Sequence, residues 1–365
     1  MKCLFLLSGE NIRLAKEEVL SLLVPKKHKV VNNLLILETE DINLADRLAY
    51  TKKTFQLLFE TNKEKIIEDI KRFEWQSIYK ENFCVRIHKL CDAQKGGGGG
   101  REGGKNRLNT NLATGWDRGV GTSEKQLADH IWDKLKSPKV NLTNPKTSIE
   151  FFITKDKIYA AKLIKELKHS FESRKAHKRP ELHPTALNPK LARALINLAG
   201  AQKEVMDPFC GAGGILIEAG LMKLKPIGYD LYKEMVKKSK RNMGHYKIKG
   251  YKLINQDALK IKTRYDYIVS DLPYGLNTSI WVKKGKENKK ISLKQKDKKQ
   301  RIKNIEEFYL KFLKILKKIL KKKAVIIFPH YVNYKSLIKK ANLKIEKEFS
   351  QFIHGSLTRK IVVLK

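Results

Sequence analysis

Cysteine is scarce, with four in 365 residues. Cys3, Cys84, Cys91 and Cys210 stand at neither zinc-ligand nor CxxC spacing, which argues against a disulfide-stapled secreted scaffold and a thiol-held metal site. Each reads as a small buried side chain. No apolar run approaches the roughly 18 to 20 residues that a bilayer span needs. The opening MKCLFLLSGENIR reaches polar and acidic residues too early for a secretory leader. An intracellular, cytoplasmic protein with no membrane partner is expected. The nine histidines show no ligand spacing, so no metal requirement is expected either.

Acid is also in short supply. Against 77 Lys and Arg the chain has 38 Asp and Glu, a formal net charge of +39. A surplus this large attracts polyanions, and nucleic acid is the natural partner. Because lysine is spread along the whole chain, a general lysine bias is the plainer alternative. With 41% hydrophobic residues, the chain has enough apolar material for two or three packed domains.

The elements divide into three parts. In residues 1–60, LFLLSG, LLILET and TFQLLFE read as strands, while ENIRLAKEEVLSLL and DINLADRLAYTKK read as helices, a pattern that fits a small ferredoxin-like α+β domain. Residues 61–165 form a second α+β unit with the strand FCVRIHKL, the helix SEKQLADHIWDKL and the strand VNLTNPKTSIEFFIT. It contains the glycine run 96–104, whose backbone entropy suits a linker better than a phosphate-binding turn. Residues 166–182 link this unit to a third, 183–365, where strands and helices alternate at the longer spacing of a parallel α/β sheet.

In that third part several strands end in an acid or proline, so their last side chains share the rim where an open α/β sheet takes its ligand. The first strand runs into DPFCGAGGILIEAG, residues 207–220. Gly211, Gly213 and Gly214 permit a sharp strand-to-helix turn and close approach by a ligand. The order, acid and proline before glycines, is not GxGxxG. Asp230 closes the second strand, where a carboxylate can accept both hydroxyls of a ribose. Gln256 and Asp257 close the third, within reach of an adenine. A row of carboxylates fits a nucleoside and would repel a pyrophosphate. The fourth strand ends YDYIVSDLPYG, residues 265–275.

Taken together, residues 207–220, Asp230, Asp257 and 270–275 resemble the class I methyltransferases that use S-adenosylmethionine. They are most similar to the amino-methylating group with a D/N-P-P-Y motif; Leu272 stands where the first proline usually does. SEKQLADHIWDKL followed by KVNLTNPKTSIEFFI resembles the THUMP domain, with Asn141 in place of the usual acid. The segment RPELHPTALNPKLARALINLAG, residues 179–200, and HGSLTRKIVVL, residues 354–364, resemble parts of the archaeal THUMP-bearing tRNA guanine-N2 methyltransferases, with guanine 10 as the implied target. The resemblance implies a Rossmann-like methyltransferase sheet preceded by ferredoxin-like and THUMP domains. It also implies S-adenosylmethionine as cofactor, tRNA as partner, an acceptor-end role for residues 61–165, and a place for His183 beside the cofactor. A monomer is expected.

The chemistry of the motif follows from its atoms. An exocyclic purine amine is a poor nucleophile because its lone pair is delocalised into the ring. Asp271 and the Leu272 carbonyl can each accept one of its N–H bonds, which turns the lone pair toward the methyl donor. Tyr274 offers a face for the base, worth about 1 to 3 kcal/mol, and Pro273 with Gly275 fixes the turn. Residues 283–303 hold eleven Lys or Arg and two acids, with few apolar residues to fold around; this Lys-rich insertion reads either as an arm for RNA phosphates or as a solvated loop. An adenine-N6 methylase of DNA or RNA remains an alternative, as does a non-enzymatic RNA-binding protein that keeps the fold.

Overall fold

The computed structural model describes residues 1–90, 123–182, 186–274, 280–284, 287–291, 298–354 and 357–365. The glycine run 96–104, Cys91, His183 and Gly275 lie outside the described residues. The chain separates into two compact units: residues 1–168 apart from 17–22 and 47–49, and the remainder to residue 365.

The first unit is built on one seven-stranded sheet. In chain order its elements are β1 (Lys2–Leu7), α1 (Ile12–Leu23, shared with the second unit), β2 (His28–Val31), β3 (Leu34–Glu38), β4 (Thr51–Thr61), α2 (Ile66–Arg72), β5 (Phe83–Lys89), α3 (Glu124–Trp132), β6 (Thr147–Ile153) and β7 (Ile158–Glu166). The strand order is β2-β3-β1-β4-β7-β6-β5, with β5 and β6 the parallel pair. Alternation sets the two faces of β6: Ile149 and Phe151 pack with Ile66, Ile70, Leu127 and Ile131 of α2 and α3, whereas Phe152 joins Leu4, Leu6 and Phe55. The capping box of α3, in which Ser123 and Gln126 bond reciprocally, starts that helix.

Three expectations change here. The helix expected over residues 41–53 is a short 3₁₀ turn, Ile42–Arg47, because Thr51 is already paired with Leu7 in the sheet and the chain has to straighten before it. The short strand β2, mostly exposed, was not foreseen. The boundary expected between residues 60 and 61 falls inside β4, which pairs with β1 on one side and β7 on the other.

The second unit carries α4 (Pro189–Ala199), β8 (Glu204–Asp207), α5 (Gly214–Leu221), β9 (Lys225–Asp230), α6 (Lys233–His245), β10 (Lys252–Asn255), β11 (Tyr265–Asp271), the hairpin β12 (Ile280–Lys284) and β13 (Glu287–Ile291), α7 (Lys298–Ile319), β14 (Leu320–Pro329), α8 (Tyr334–Lys340), β15 (Ile345–His354) and β16 (Leu357–Leu364). Its large sheet has the order β10-β9-β8-β11-β14-β16-β15. Strands β8 to β11 and β14 run parallel, and β16 enters antiparallel between β14 and β15. The run Ala324–Phe328 is wholly buried, as a strand covered on both faces requires. In α7, Ile305, Tyr309, Phe312, Leu313 and Leu316 repeat at three and four positions and all are buried, giving the apolar stripe that docks on the sheet.

The basic stretch 283–303 departs from the loop expectation. Residues 280–284 and 287–291 pair as an antiparallel hairpin, and 298–303 are the first turns of α7. Chain order reverses between β8 and β11, which lie side by side. That switch point opens a crevice beyond the strand ends, and it is there that the candidate residues converge.

Candidate active site

Asp207 ends β8 and is 2% exposed. Its Oδ1 accepts from the Ser270 hydroxyl at 2.7 Å and from the Phe209 amide at 3.0 Å. Burial pushes its pKa up to about 7, and the negative charges of Asp230 and Asp271 push in the same direction against the two hydrogen bonds. Ser270 precedes Asp271 on β11, so one hydroxyl joins the two strands that flank the switch point.

The glycine turn follows Asp207. Gly211 has φ +52° and Gly213 φ +86°, the left-handed region that favours glycine. A Cβ on Gly213 would sit 2.5 Å from Ser239 Oγ, whereas one on Gly211 would meet nothing within 4 Å. Gly211 donates its amide to Asp230 Oδ2 at 2.9 Å, and Tyr232 donates to Oδ1 at 2.9 Å. The end of β9 is thereby fixed against the turn. Asp257 accepts from the Leu259 amide at 2.9 Å and caps a short turn, while the Gln256 amide donates to the Asp230 carbonyl at 3.0 Å.

Asp271 closes β11 with 17% of its side chain exposed. The Tyr274 hydroxyl donates to its Oδ1 at 2.5 Å. Arg359, from β16, donates Nε to the Tyr274 hydroxyl at 2.9 Å and holds Nη2 3.5 Å from Asp271 Oδ2. Burial raises the Asp271 pKa, and the Arg359 charge and the Tyr274 hydrogen bond oppose it. Burial likewise drives the Tyr274 hydroxyl well above its ordinary range, so it stays protonated and donates. The turn itself is held from α7 and from the end of β14: Tyr309 donates to the Pro273 carbonyl at 2.9 Å and Tyr331 to the Tyr274 carbonyl at 2.8 Å. Leu272 is 2% exposed and its amide donates to the Ile327 carbonyl at 3.4 Å.

Of the residues expected at the site, Asp207, Gly211, Gly213, Asp230, Asp257, Asp271, Leu272, Pro273 and Tyr274 stand at or just beyond the carboxyl ends of β8 to β11. Ser270, Tyr309, Tyr331 and Arg359 were missed. Arg359 had no local signal, standing between Thr358 and Lys360 in the polar first half of β16. Tyr309 lies on the buried stripe of α7, where its ring reads as core and its hydroxyl gives no sequence signal.

Several carboxylates with few cations among them fit a positively charged nucleoside ligand, and the open space beside Gly211 gives it room. Among the described residues, no group of three or more His, Cys, Asp or Glu is arranged to hold a metal ion, and no helix is long and apolar enough to cross a membrane.

Comparison with known proteins agrees with this geometry. Residues 176–287 match the RMKL-like methyltransferase domain and residues 122–160 the THUMP domain. A tRNA (guanine(10)-N2)-dimethyltransferase of Methanothermobacter thermautotrophicus is 30% identical over 88% of this chain and 84% of its own. The chain belongs to the tRNA (guanine(10)-N2)-dimethyltransferase family. Another member, from Pyrococcus abyssi, is 29% identical over 91% of this chain and 89% of its own. The crystal structure of TrmN from Thermus thermophilus has 14% identity and a TM-score of 0.48 over 100% of this chain and 99% of that one, a likeness too distant to add to the argument. The family match gives the crevice its cofactor, S-adenosylmethionine, for which Asp207, Gly211, Gly213, Asp230 and Asp257 are the candidate residues in this chain.

Proposed function

We propose that this protein methylates the exocyclic N2 amine of guanine 10 in tRNA, twice in succession, the activity for which its relatives are named. The observation that carries the reading is the placement of Asp271 beside Asp207 at the switch point, in a chain that matches those relatives over most of its length. S-adenosylmethionine supplies an already activated methyl group, so alignment can provide much of the acceleration, for which about 7 to 11 kcal/mol is available.

The roles divide by position. Asp207 pairs with the cofactor's positively charged amino group, Asp230 takes the ribose hydroxyls, and Asp257 lies at the adenine. Asp271 and the Leu272 carbonyl accept the two N–H bonds of the guanine amine and aim its lone pair at the methyl carbon. A guanine in a stem has to leave its stack, at a cost of a few kcal/mol, which phosphate contacts and stacking on Tyr274 offset. Residues 61–165 hold the acceptor end of the tRNA, and the catalytic domain expected over 183–365 lies in the second unit. The enzyme is a monomer in this reading.

The test is nucleoside mass spectrometry on unmodified tRNA incubated with enzyme and cofactor. N2-methylated guanosine mapping to position 10 is expected; N6-methyladenosine would replace this reading with the adenine-methylating alternative. Asp271→Ala should lower turnover at least about a hundredfold, the order of effect for losing a positioned acceptor, while cofactor affinity holds. Near-normal methylation by that variant would refute the role of Asp271.

A further inference from the structure

A carboxylate used to orient an amine has to point its lone pairs in one direction, yet the terminal torsion of aspartate is broad and soft. In this site both oxygens of Asp271 are engaged. Tyr274 donates to Oδ1 at 2.5 Å and the Arg359 guanidinium faces Oδ2 at 3.5 Å, and Arg359 Nε closes the ring on the Tyr274 hydroxyl at 2.9 Å. The guanidinium carbon also lies 5.9 Å from the centre of the Tyr274 ring. Arg359 is 9% exposed and sits two strands away from Asp271, paired with Pro329 of β14 and Gln351 of β15. A cation this buried, turned into the sheet rim, is not placed to meet a tRNA phosphate.

We propose that Arg359 is a positioning residue for the methylation: it locks the plane of the Asp271 carboxylate and the ring of Tyr274 as one body before the guanine arrives. This rests on the function proposed above. An ionised carboxylate has about four lone-pair sites. Tyr274 occupies one and Arg359 faces another, so those that remain point in fixed directions for the guanine N–H. A planar guanidinium with several donors can bridge a phenol and a carboxylate at once; an ammonium, a point charge on a flexible stem, cannot hold both in one plane. Arg359 also sets the charge of the site. The groups that act on Asp271 are Tyr274 from its own turn, Arg359 from β16, Asp207 from β8 and the Tyr309 hydroxyl from α7, and Arg359 is the cation among them. Without it Asp271 takes up a proton at higher pH and loses an acceptor.

The experiment compares wild type, Arg359→Met and Arg359→Lys in turnover of unmodified tRNA between pH 5.5 and 9, with cofactor affinity by calorimetry and tRNA affinity by filter binding. Arg359→Met should lower kcat about tenfold or more, leave KM for tRNA and cofactor affinity within about twofold, and move the acid limb of kcat upward by about one pH unit, the shift expected when a buried carboxylate loses a neighbouring cation. Arg359→Lys should return the acid limb to its wild-type position without restoring full kcat. An Arg359→Met profile that superimposes on wild type overturns the proposal, and so does a loss confined to tRNA affinity. If Arg359→Met no longer binds cofactor, Arg359→Lys decides: full kcat in it overturns the positioning role, and reduced kcat with an unmoved limb supports it. Failure of wild type itself to make N2-methylguanosine would instead overturn the proposed function.

Discussion

Asp207→Asn should stabilise the enzyme at alkaline pH while weakening its hold on the cofactor. The folded pKa of Asp207 is raised from 3.8 to about 7, so the protonated form is the one the fold prefers. Its contribution to stability is therefore complete below the unfolded pKa near 3.8 and is lost as pH rises through about 7. A rise of roughly three pH units corresponds to about 4 kcal/mol at 1.36 kcal/mol per unit, a ceiling on what the charge costs at pH 8. Asparagine keeps the oxygen that accepts from Ser270 and Phe209. The two side chains are nearly the same size, so the substitution removes the charge with little loss of packing.

The assay is thermal unfolding without cofactor at pH 5 and pH 8, for both proteins. Wild type should lose about 2.7 kcal/mol between the two relative to the variant, because only the roughly two pH units from 5 up to the folded pKa fall in that window, and this is roughly 5 to 11 °C in Tm for a unit of this size. Cofactor affinity at pH 8 should fall in the variant, because the cationic amino group loses its counter-charge. A variant whose Tm changes with pH just as wild type's does would show that Asp207 carries no such charge cost, and with it the account of a carboxylate held ready for a cation would fail. The site then illustrates stability given up locally for binding, a trade common at functional centres.

Two further outcomes follow from the same unit. Glu218 has no solvent exposure and bridges Arg174 at 2.7 Å and Arg193 at 3.0 Å; Glu218→Ala strands two buried guanidinium groups and should cost about 3 to 5 kcal/mol in denaturant unfolding, and a loss below about 1 kcal/mol would mean the cluster is solvated. Gly213→Ala meets both the positive φ and the Ser239 hydroxyl at 2.5 Å, whereas Gly211→Ala meets positive φ in open space, so the first should lose more Tm than the second beyond the shared backbone cost of about 1 to 2 kcal/mol; equal losses would refute the steric argument.

The reach of the sequence differs sharply between the motif residues and the residues that hold them. Asp207, Asp230 and Asp271 were legible because parallel strands buried on both faces leave continuous apolar runs, and an acid that ends such a run has one place to go, the carboxyl edge. The DLPYG turn carries its own signature for the same local reason. Its supports do not. Arg359 lies 85 positions from Tyr274 and reaches it because β16 runs antiparallel to β14 in the register that sets Arg359 opposite Pro329; a slip of one residue would turn the guanidinium to the other face of the sheet. Tyr309 supports Pro273 from the buried stripe of α7, where spacing reports a core position and is silent about the hydroxyl. The helix expected at residues 41–53 failed in the opposite direction: its local pattern was sound, but pairing of Thr51 with Leu7 overrode it. Local chemistry therefore named the groups that face the ligands, while the groups that fix their orientation depend on strand register, which becomes readable once the order of the sheet is known.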